Sequence, residues 1–243
     1  MESLNHHLKA LKLPEMLASY AEEAERCLKS GTSYEAFLNR LAEQEVLGRM
    51  SRQVQVRFKK AQFPALKTVD SFNFEALPDL NKTQIMTLMS GKFCEKGENI
   101  LALGNSGTGK THLAIAIGVA ACQRGESVLF QTAAHLAIAL SEAHDAKKLL
   151  NFQKKIRTYK ILIIDELGYV PFSKSSSELL FDVFSQRYEQ GSLVITSNLP
   201  FEEWPQIFGC PRLTAALLDR LTHHAHILEM KGQSFRLNNR SGS

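Results

Sequence analysis

The sequence predicts an α/β protein in which a parallel sheet is flanked by helices and preceded by a small all-helical domain. Three observations predict this fold. Residues 1–62 show helical spacing of apolar residues and no strand pattern, short apolar runs alternate with helical segments from Asn99 onward, and a glycine-rich turn follows the first of those runs. Parallel strands need long crossovers, usually helices, so this alternation is typical of a parallel sheet.

The N-terminal domain, residues 1–62, is predicted to bind a partner or DNA and to support assembly. Its apolar side chains recur every three or four residues until Gly31, with an interruption at Pro14. Thr32 and Glu35 have the spacing of a capping box, which predicts that a second long helix opens there.

The remainder of the chain is predicted to form a linker over residues 63–80 that packs on the core, an α/β domain over residues 81–240 and a tail over residues 241–243. The predicted strands are short apolar runs: Ile100–Leu103, Val128–Gln131, Ile161–Asp165, Leu193–Ser197, Ile227–Met230 and Phe235–Leu237. The predicted helices lie between them: Lys110–Gln123, Ala133–Ser141, a basic helix around Ala146–Arg157, Ser176–Gln190 and Leu213–Leu221.

Composition excludes several classes of protein. The chain has 243 residues, and its apolar runs fall far short of the ~20 residues that a membrane span requires. Met1–Tyr20 lacks the pattern of a signal peptide, so we expect a cytoplasmic protein without a membrane partner. The four cysteines are scattered, which favours buried free thiols, and His223, His224 and His226 lack the companions of a zinc site.

A glycine-rich turn carries the clearest chemical signal. It fits G-x-x-x-x-G-K-[ST], follows a predicted strand and precedes a predicted helix, as a phosphate-binding loop does. Backbone N–H groups of such a loop face the phosphates, while Lys110 would bridge the β- and γ-phosphates and the Thr111 hydroxyl would ligate Mg²⁺. The predicted nucleotide-binding residues are Gly104, Asn105, Ser106, Gly107, Thr108, Gly109, Lys110, Thr111 and His112.

Two later strands end in polar side chains that belong at the same edge of the sheet. Asp165 ends an apolar strand and would hold Mg²⁺, partly through water, while Glu166 is predicted to polarise the attacking water as a general base. Thr196 or Asn198, at the end of the next strand, could contact the γ-phosphate or that water. Asn198 ahead of Pro200 could equally form a turn.

Arg220 has two readings at this point. It could stabilise charge on the γ-phosphate of a neighbouring subunit, or it could form a surface ion pair with Asp219 or another acid. A GTPase is disfavoured, because no N-K-x-D segment follows the phosphate loop, although Asp165 to Gly168 fits D-x-x-G. A small-molecule kinase would need an arginine-rich lid and has little use for a basic helical domain.

Several phrases together resemble one family. They are Phe63-Pro64, Lys67-Thr68, Phe72-Asn-Phe74, Gly107 to Ala114, Ile164 to Pro171, Thr196 to Leu199 and Leu218-Asp-Arg-Leu221. The chain resembles the IstB-like AAA+ helper ATPases of insertion-sequence transposition, relatives of the helicase loader DnaC and the initiator DnaA. The resemblance implies an AAA+ core, ATP and Mg²⁺ as cofactors, a homo-oligomeric ring or spiral on duplex DNA, and ATP hydrolysis at subunit interfaces with Arg220 acting in trans.

The resemblance also implies a function: a helper that recruits or stimulates a transposase, with a replicative helicase loader of the DnaC type as the alternative. The chain departs from the family pattern at Asn105, where proline is common. The helical lid of many AAA+ proteins is expected to be absent or rudimentary, which leaves the role of Arg236 open.

Two basic stretches are the candidates for DNA contact. The first contains no acidic residue and comprises Arg49, Arg52, Arg57, Lys59, Lys60 and Lys67. The second comprises Lys147, Lys148, Lys154, Lys155, Arg157 and Lys160, and its apolar residues recur at helical spacing. Without interleaved aromatic residues, such faces suit the phosphates of duplex DNA rather than single strands, and the alternative for each is a plain solvated face.

Overall fold

The structure is a computed structural model that describes residues 2–232. The chain divides into two compact units between Val56 and Arg57, six residues before the predicted domain boundary. None of the helices within the described range combines the length and the apolar character that a membrane crossing needs.

The first unit is built from three helices. They are α1 (Glu2–Ala10), α2 (Pro14–Ser30) and α3 (Tyr34–Ala61), the last five residues of which belong to the second unit. Helix α2 ends at Gly31, whose φ of 63° suits a residue without a Cβ. The predicted capping box is wrong by one residue, because Ser33 Oγ accepts the N–H of Ala36 at 3.2 Å, while Thr32 bonds Ser30.

A buried carboxylate joins two helices of this unit. Glu45 on α3 accepts hydrogen bonds from the backbone N–H groups of Glu15 (2.8 Å) and Met16 (3.2 Å) in the first turn of α2, and Arg52 Nη2 donates to it at 3.0 Å. Burial raises the pKa of Glu45, but these donors together outweigh it and hold the pKa below its ordinary 4.5.

The second unit contains a five-stranded, all-parallel sheet with strand order β2-β3-β4-β1-β5. The strands are β1 (Asn99–Leu103), β2 (Val128–Thr132), β3 (Ile161–Leu167), β4 (Ser192–Ser197) and β5 (Ala225–Glu229). Five of the predicted strands are thereby confirmed within one or two residues, and the predicted strand Phe235–Leu237 lies outside the described residues.

Helices cover both faces of the sheet. They are α4 (Lys82–Met89), α5 (Lys92–Glu95), α6 (Lys110–Arg124), α7 (Ala133–Asp145), α8 (Leu149–Arg157), α9 (Lys174–Arg187), α10 (Trp204–Phe208) and α11 (Pro211–Thr222), with a 3-10 turn at Phe201–Glu203. Alternate strand residues point to opposite faces, so Ile161 and Ile163 join the cluster under α4 and α6, whereas Leu162 and Ile164 join the cluster under α7 and α9.

Residues 63–80, the predicted linker, contain no helix or strand, and Phe72, Leu77 and Leu80 are buried in the cluster beneath α6. The predicted basic helix begins later than expected. Lys147 has a φ of 56° in the turn after α7, and α8 starts only at Leu149. Lys147 and Lys148 therefore precede the helix.

Candidate nucleotide-binding site

The glycine-rich turn connects β1 to α6, and close packing explains two of its glycines. Gly104 has a φ of 151°, and a Cβ on it would lie 2.2 Å from the backbone oxygen of Met230. Gly109 has a φ of 89°, and a Cβ there would lie 2.8 Å from Phe72 Cε2. Met230 and Phe72 therefore lie too close for a larger residue at Gly104 and Gly109. Because neither position carries a side chain, the loop backbone can face a ligand at the N-terminus of α6.

Lys110 is held over this loop. Its side chain is buried, and Nζ donates to the carbonyl oxygens of Gly104 and Asn105, both at 2.7 Å. The ammonium group therefore lies against the loop backbone near the N-terminus of α6, which is the positive end of the helix dipole. An anion with several oxygens, such as a triphosphate, suits this combination of charge and donors.

The hydroxyl of Thr111 meets the carboxylate of Asp165 beside the loop. Thr111 Oγ1 donates to Oδ1 at 2.8 Å and lies 3.1 Å from Oδ2, and Asp165 is 4% exposed. One hydroxyl and one carboxylate are hard oxygen donors that fit Mg²⁺, which takes few protein ligands and completes its shell with water and substrate phosphates.

Glu166 occupies an irregular position in β3. Its φ is 59°, in a region that non-glycine residues rarely adopt, and its side chain is exposed while its neighbours Asp165 and Leu167 are buried. The register between β3 and β4 shifts between Ile164 and Leu167, as in a β-bulge. This local irregularity turns the Glu166 carboxylate out of the sheet.

A cavity of about 690 Å³ brings the predicted site residues together. From the loop it is lined by Ser106, Gly107, Thr108, Gly109, Lys110, Thr111 and His112. Glu166, Tyr169, Thr196 and Asn198 line it from the ends of β3 and β4. A volume of this size accommodates a nucleotide. Asp165 lies directly behind the cavity, through its bond to Thr111.

The linker supplies a wall of the cavity that the sequence did not predict as part of the site. Lys67, Ser71, Phe72, Asn73, Ala76 and Leu77 contribute to that wall. His112 Nε2 is 2.9 Å from the carbonyl oxygen of Thr68, and its ring packs edge-on against Phe72, with centroids 5.3 Å apart. An aromatic and apolar wall beside a phosphate loop is suited to a planar base. The segment Phe72-Asn-Phe74 contributed to the family resemblance, but nothing in it indicated a contact with the site.

Arg220 does not line this cavity. On α11, its guanidinium donates to Ser185 Oγ and lies 5.2 Å from the centroid of the Phe181 ring, both on α9. No ion pair of Arg220 with Asp219 or another acid is present in the described part of the chain, so the surface-pair reading is not supported. The arginine is exposed.

The basic side chains of the two stretches differ in their exposure and in their pairing with acids. Arg52 is paired with Glu15 and Glu45, and Arg49 is 4.0 Å from Glu45, so much of their charge is neutralised by acids that lie outside the stretch in sequence. Arg57 donates to the Cys122 carbonyl at 3.3 Å, whereas Lys59 and Lys60 are exposed.

In the second stretch, Lys154 and Lys155 project from α8 opposite its buried residues Gln153 and Ile156. Arg157 Nη2 donates to Gln190 at 2.9 Å. Lys154 and Lys155 on α8, like Lys59 and Lys60 on α3, therefore combine a helical backbone with exposed side chains.

The prediction of buried free thiols is correct for three of the four cysteines. Cys27, Cys94 and Cys122 are buried, and burial raises the pKa of the Cys94 and Cys122 thiols to about 11, but Cys210 is exposed. His226 pairs with Glu98 at 2.8 Å and His223 with the Tyr188 hydroxyl at 2.9 Å. These contacts give the histidines structural partners.

Comparison with known proteins finds relatives among the proteins of insertion sequences. A protein of insertion sequence IS5376 from Geobacillus stearothermophilus is 40% identical over 239 residues, covering 97% of this chain and 94% of the relative. A protein of insertion sequence IS232 from Bacillus thuringiensis subsp. berliner is 36% identical over 236 residues, covering 97% and 94%.

The fold is similar to that of the replication initiator DnaA. The structure of AMPPCP-bound DnaA from Aquifex aeolicus superposes with a TM-score of 0.58 at 19% identity, covering 70% of this chain and 51% of DnaA. The model of the family described as IstB-like ATP binding protein matches residues 6–243. The chain therefore belongs to the IstB-like ATP-binding proteins.

Proposed function

We propose that this protein is a Mg²⁺-dependent ATPase that assembles on duplex DNA and recruits or stimulates the transposase of its insertion sequence. The observation that carries the proposal is the convergence of Lys110, Thr111, Glu166 and Asn198 on one cavity, with Asp165 behind it. The loop residues, the Asp165 and Glu166 pair and Asn198 come from three separate parts of the chain. A purely structural role would not require these side chains to lie together.

ATP is the substrate that fits. The loop amides and Lys110 would bind its phosphates, and the wall formed by Phe72 and its neighbours would bind its base. Thr111 and Asp165 would hold Mg²⁺, which neutralises charge on the β- and γ-phosphates when it is bound. Lys110 would exchange its two carbonyl partners for phosphate oxygens, so the apo contacts keep the ammonium group in place until the substrate arrives.

Hydrolysis needs a base and a group that orients the water. Glu166 is exposed toward the cavity, one residue beyond Asp165, and is proposed to accept a proton from the attacking water. Asn198 lines the same cavity and is exposed, and its amide can donate to the γ-phosphate or to the water.

The cavity holds Lys110 and Lys67 as its cations, and Arg220 of the same chain is directed elsewhere. We propose that Arg220 completes the site of a neighbouring copy, with ATP hydrolysis at the interface between them. An arginine supplied in this way is worth roughly 10³ to 10⁵ in rate. A homo-oligomer is then required for turnover.

Contact with duplex DNA is proposed for the exposed Lys154 and Lys155 of α8. Arg187 fixes the end of this helix by donating to the carbonyl oxygens of Ile156 (3.2 Å) and Tyr159 (3.0 Å). Lysines on a fixed helix can follow phosphates without reading bases. Replacing both with alanine should make the salt dependence of DNA affinity shallower by about 0.9 for each lost phosphate contact. An unchanged slope would refute the contact.

Transposition is favoured over helicase loading as the setting. Relatives named for insertion sequences match 94% or more of this chain at 36% to 40% identity, whereas the likeness to DnaA is one of fold alone. The partner we propose is accordingly the transposase encoded by the same element.

Sedimentation of the purified protein, with and without ATP, Mg²⁺ and a duplex fragment, tests the proposal. We expect large complexes only when ATP and DNA are both present, persistent complexes with Glu166→Gln, and none with Lys110→Ala. The matched control is Lys92→Ala, which removes an exposed lysine from α5, outside the lining of the cavity. Failure to bind adenine nucleotides would overturn the proposal.

A further inference from the structure

The register shift in the sheet gives one buried threonine two partners. Ile164 pairs with Ile195 and Leu167 pairs with Ser197, so two residues of β3, Asp165 and Glu166, lie opposite one residue of β4. That residue is Thr196, which is 1% exposed. Bulges leave backbone groups without their regular partners, and a side chain has to satisfy them.

The Thr196 hydroxyl is used in both directions. Oγ1 donates to Asp165 Oδ1 at 2.6 Å and accepts from the backbone N–H of Glu166 at 3.0 Å. It thereby contacts the side chain that would hold Mg²⁺ and the backbone of the proposed general base. Asp165 Oδ1 also receives the Thr111 hydroxyl at 2.8 Å, so the carboxylate is oriented from two sides.

The second of these bonds bears on backbone strain. A φ of 59° at Glu166 is disfavoured for a residue with a Cβ and persists only where surrounding contacts enforce it. The hydrogen bond from Glu166 N–H to Thr196 is such a contact, and it sits at the residue whose carboxylate must point into the cavity.

We propose that Thr196 is a positioning residue for ATP hydrolysis, which holds the Asp165 carboxylate and the Glu166 backbone in their working geometry through a single hydroxyl. This inference rests on the proposed ATPase function. It assigns Thr196 to the acid pair and leaves contact with the nucleotide to Asn198, two residues further along. Loss of the hydroxyl would impair turnover and metal use while leaving nucleotide binding intact.

Thr196→Val is the test variant, because valine keeps the shape and removes the hydroxyl, and Thr196→Ser is its conservative counterpart. For the valine variant we expect kcat to fall on the order of 10²-fold, as a small misplacement of a catalytic group does. The Mg²⁺ concentration that supports half-maximal turnover should rise about tenfold or more, because outer partners of metal ligands affect metal affinity to that degree. ATP affinity without Mg²⁺ should stay within about twofold, and serine should restore turnover.

Hydrogen exchange gives a readout that does not depend on activity. The Glu166 amide should be protected in the wild type and in Thr196→Ser, and should exchange faster in Thr196→Val. Thr214→Val is the matched control, since Thr214 is also fully buried and its hydroxyl bonds the Cys210 carbonyl at 2.9 Å, away from the cavity. That control should leave the Mg²⁺ requirement and the Glu166 amide unchanged.

Two results would overturn the inference: turnover and Mg²⁺ dependence of Thr196→Val within twofold of the wild type, or a Glu166 amide that exchanges freely in the wild type. If Thr196→Val fails to fold, the exchange of the wild-type amide still decides. If the wild type binds ATP but never hydrolyses it on DNA, the proposed function fails instead, and the exchange contrast between valine and serine remains a separate result.

Discussion

Replacing Gly104 with alanine is the most direct test of why the phosphate loop begins with glycine. The added Cβ would lie 2.2 Å from the carbonyl oxygen and 2.8 Å from the carbonyl carbon of Met230. Both are backbone atoms, and Met230 is itself anchored, since its N–H donates to the Leu103 carbonyl at 2.7 Å. Relief therefore requires movement of the chain after β5 or of the loop.

The expected cost has two parts. Alanine at a φ of 151° incurs a conformational penalty of about 1–2 kcal/mol, and forcing the backbone apart adds about 1–3 kcal/mol. Gly209→Ala isolates the conformational penalty from the steric one. Gly209 has a φ of 65° and nothing within 4 Å of the added Cβ, so only a conformational penalty of about 1 kcal/mol applies. We expect Gly104→Ala to be the less stable variant by about 1–4 kcal/mol.

Urea unfolding followed by tryptophan fluorescence measures this difference. The chain has a single tryptophan, Trp204, which is fully buried on α10 of the second unit and so reports on the unit that contains the loop. Nucleotide affinity should fall in Gly104→Ala and not in Gly209→Ala. Equal midpoints for the two variants would refute the close-contact explanation of Gly104.

Three further predictions follow from the site and the first unit. Lys110→Ala should abolish measurable ATP affinity in a fluorescent-nucleotide titration, because the loop loses its buried ammonium group. Arg220→Ala should bind ATP as the wild type does yet lose about 10³-fold or more of DNA-stimulated turnover, and equal turnover by dilute monomers of both would count against a shared site. Glu45→Gln should destabilise the protein to urea at neutral pH. Since the folded-state pKa of Glu45 is lowered, its contribution is present above about pH 4.5 and lost as pH falls further, so the two stabilities should converge in acid.

Much of the second unit could be predicted from sequence because its signals are local. The apolar run of β1, the glycines after it and the helical spacing of α6 follow one another along the chain, and each is set by backbone sterics or by alternation of side chains. Ser33 rather than Thr32 caps α3 because two adjacent hydroxyls compete for one helix end, and spacing alone does not rank them.

What the sequence could not predict depends on contacts between distant residues. Arg52 was a candidate DNA contact because the basic stretch contains no acid, yet Glu15 and Glu45 pair with it from outside the stretch. The linker was predicted to pack on the core, but nothing in an irregular segment specifies that Phe72 and its neighbours form a wall of the cavity.

Thr196 and Asn198 show how one backbone irregularity divides the work between two similar residues. By strand alternation both face the cavity, and from sequence they were interchangeable candidates for the same role. The bulge in β3 places Asp165 and Glu166 opposite Thr196. The buried Thr196 hydroxyl therefore bonds the Asp165 carboxylate and the Glu166 backbone. Asn198 lies beyond the last paired residue of β4, exposed, with its amide still available to a ligand. The hydroxyl that sets the geometry and the amide that senses the substrate are then separate groups, which is why substitutions at the two positions should affect metal use and nucleotide contact differently.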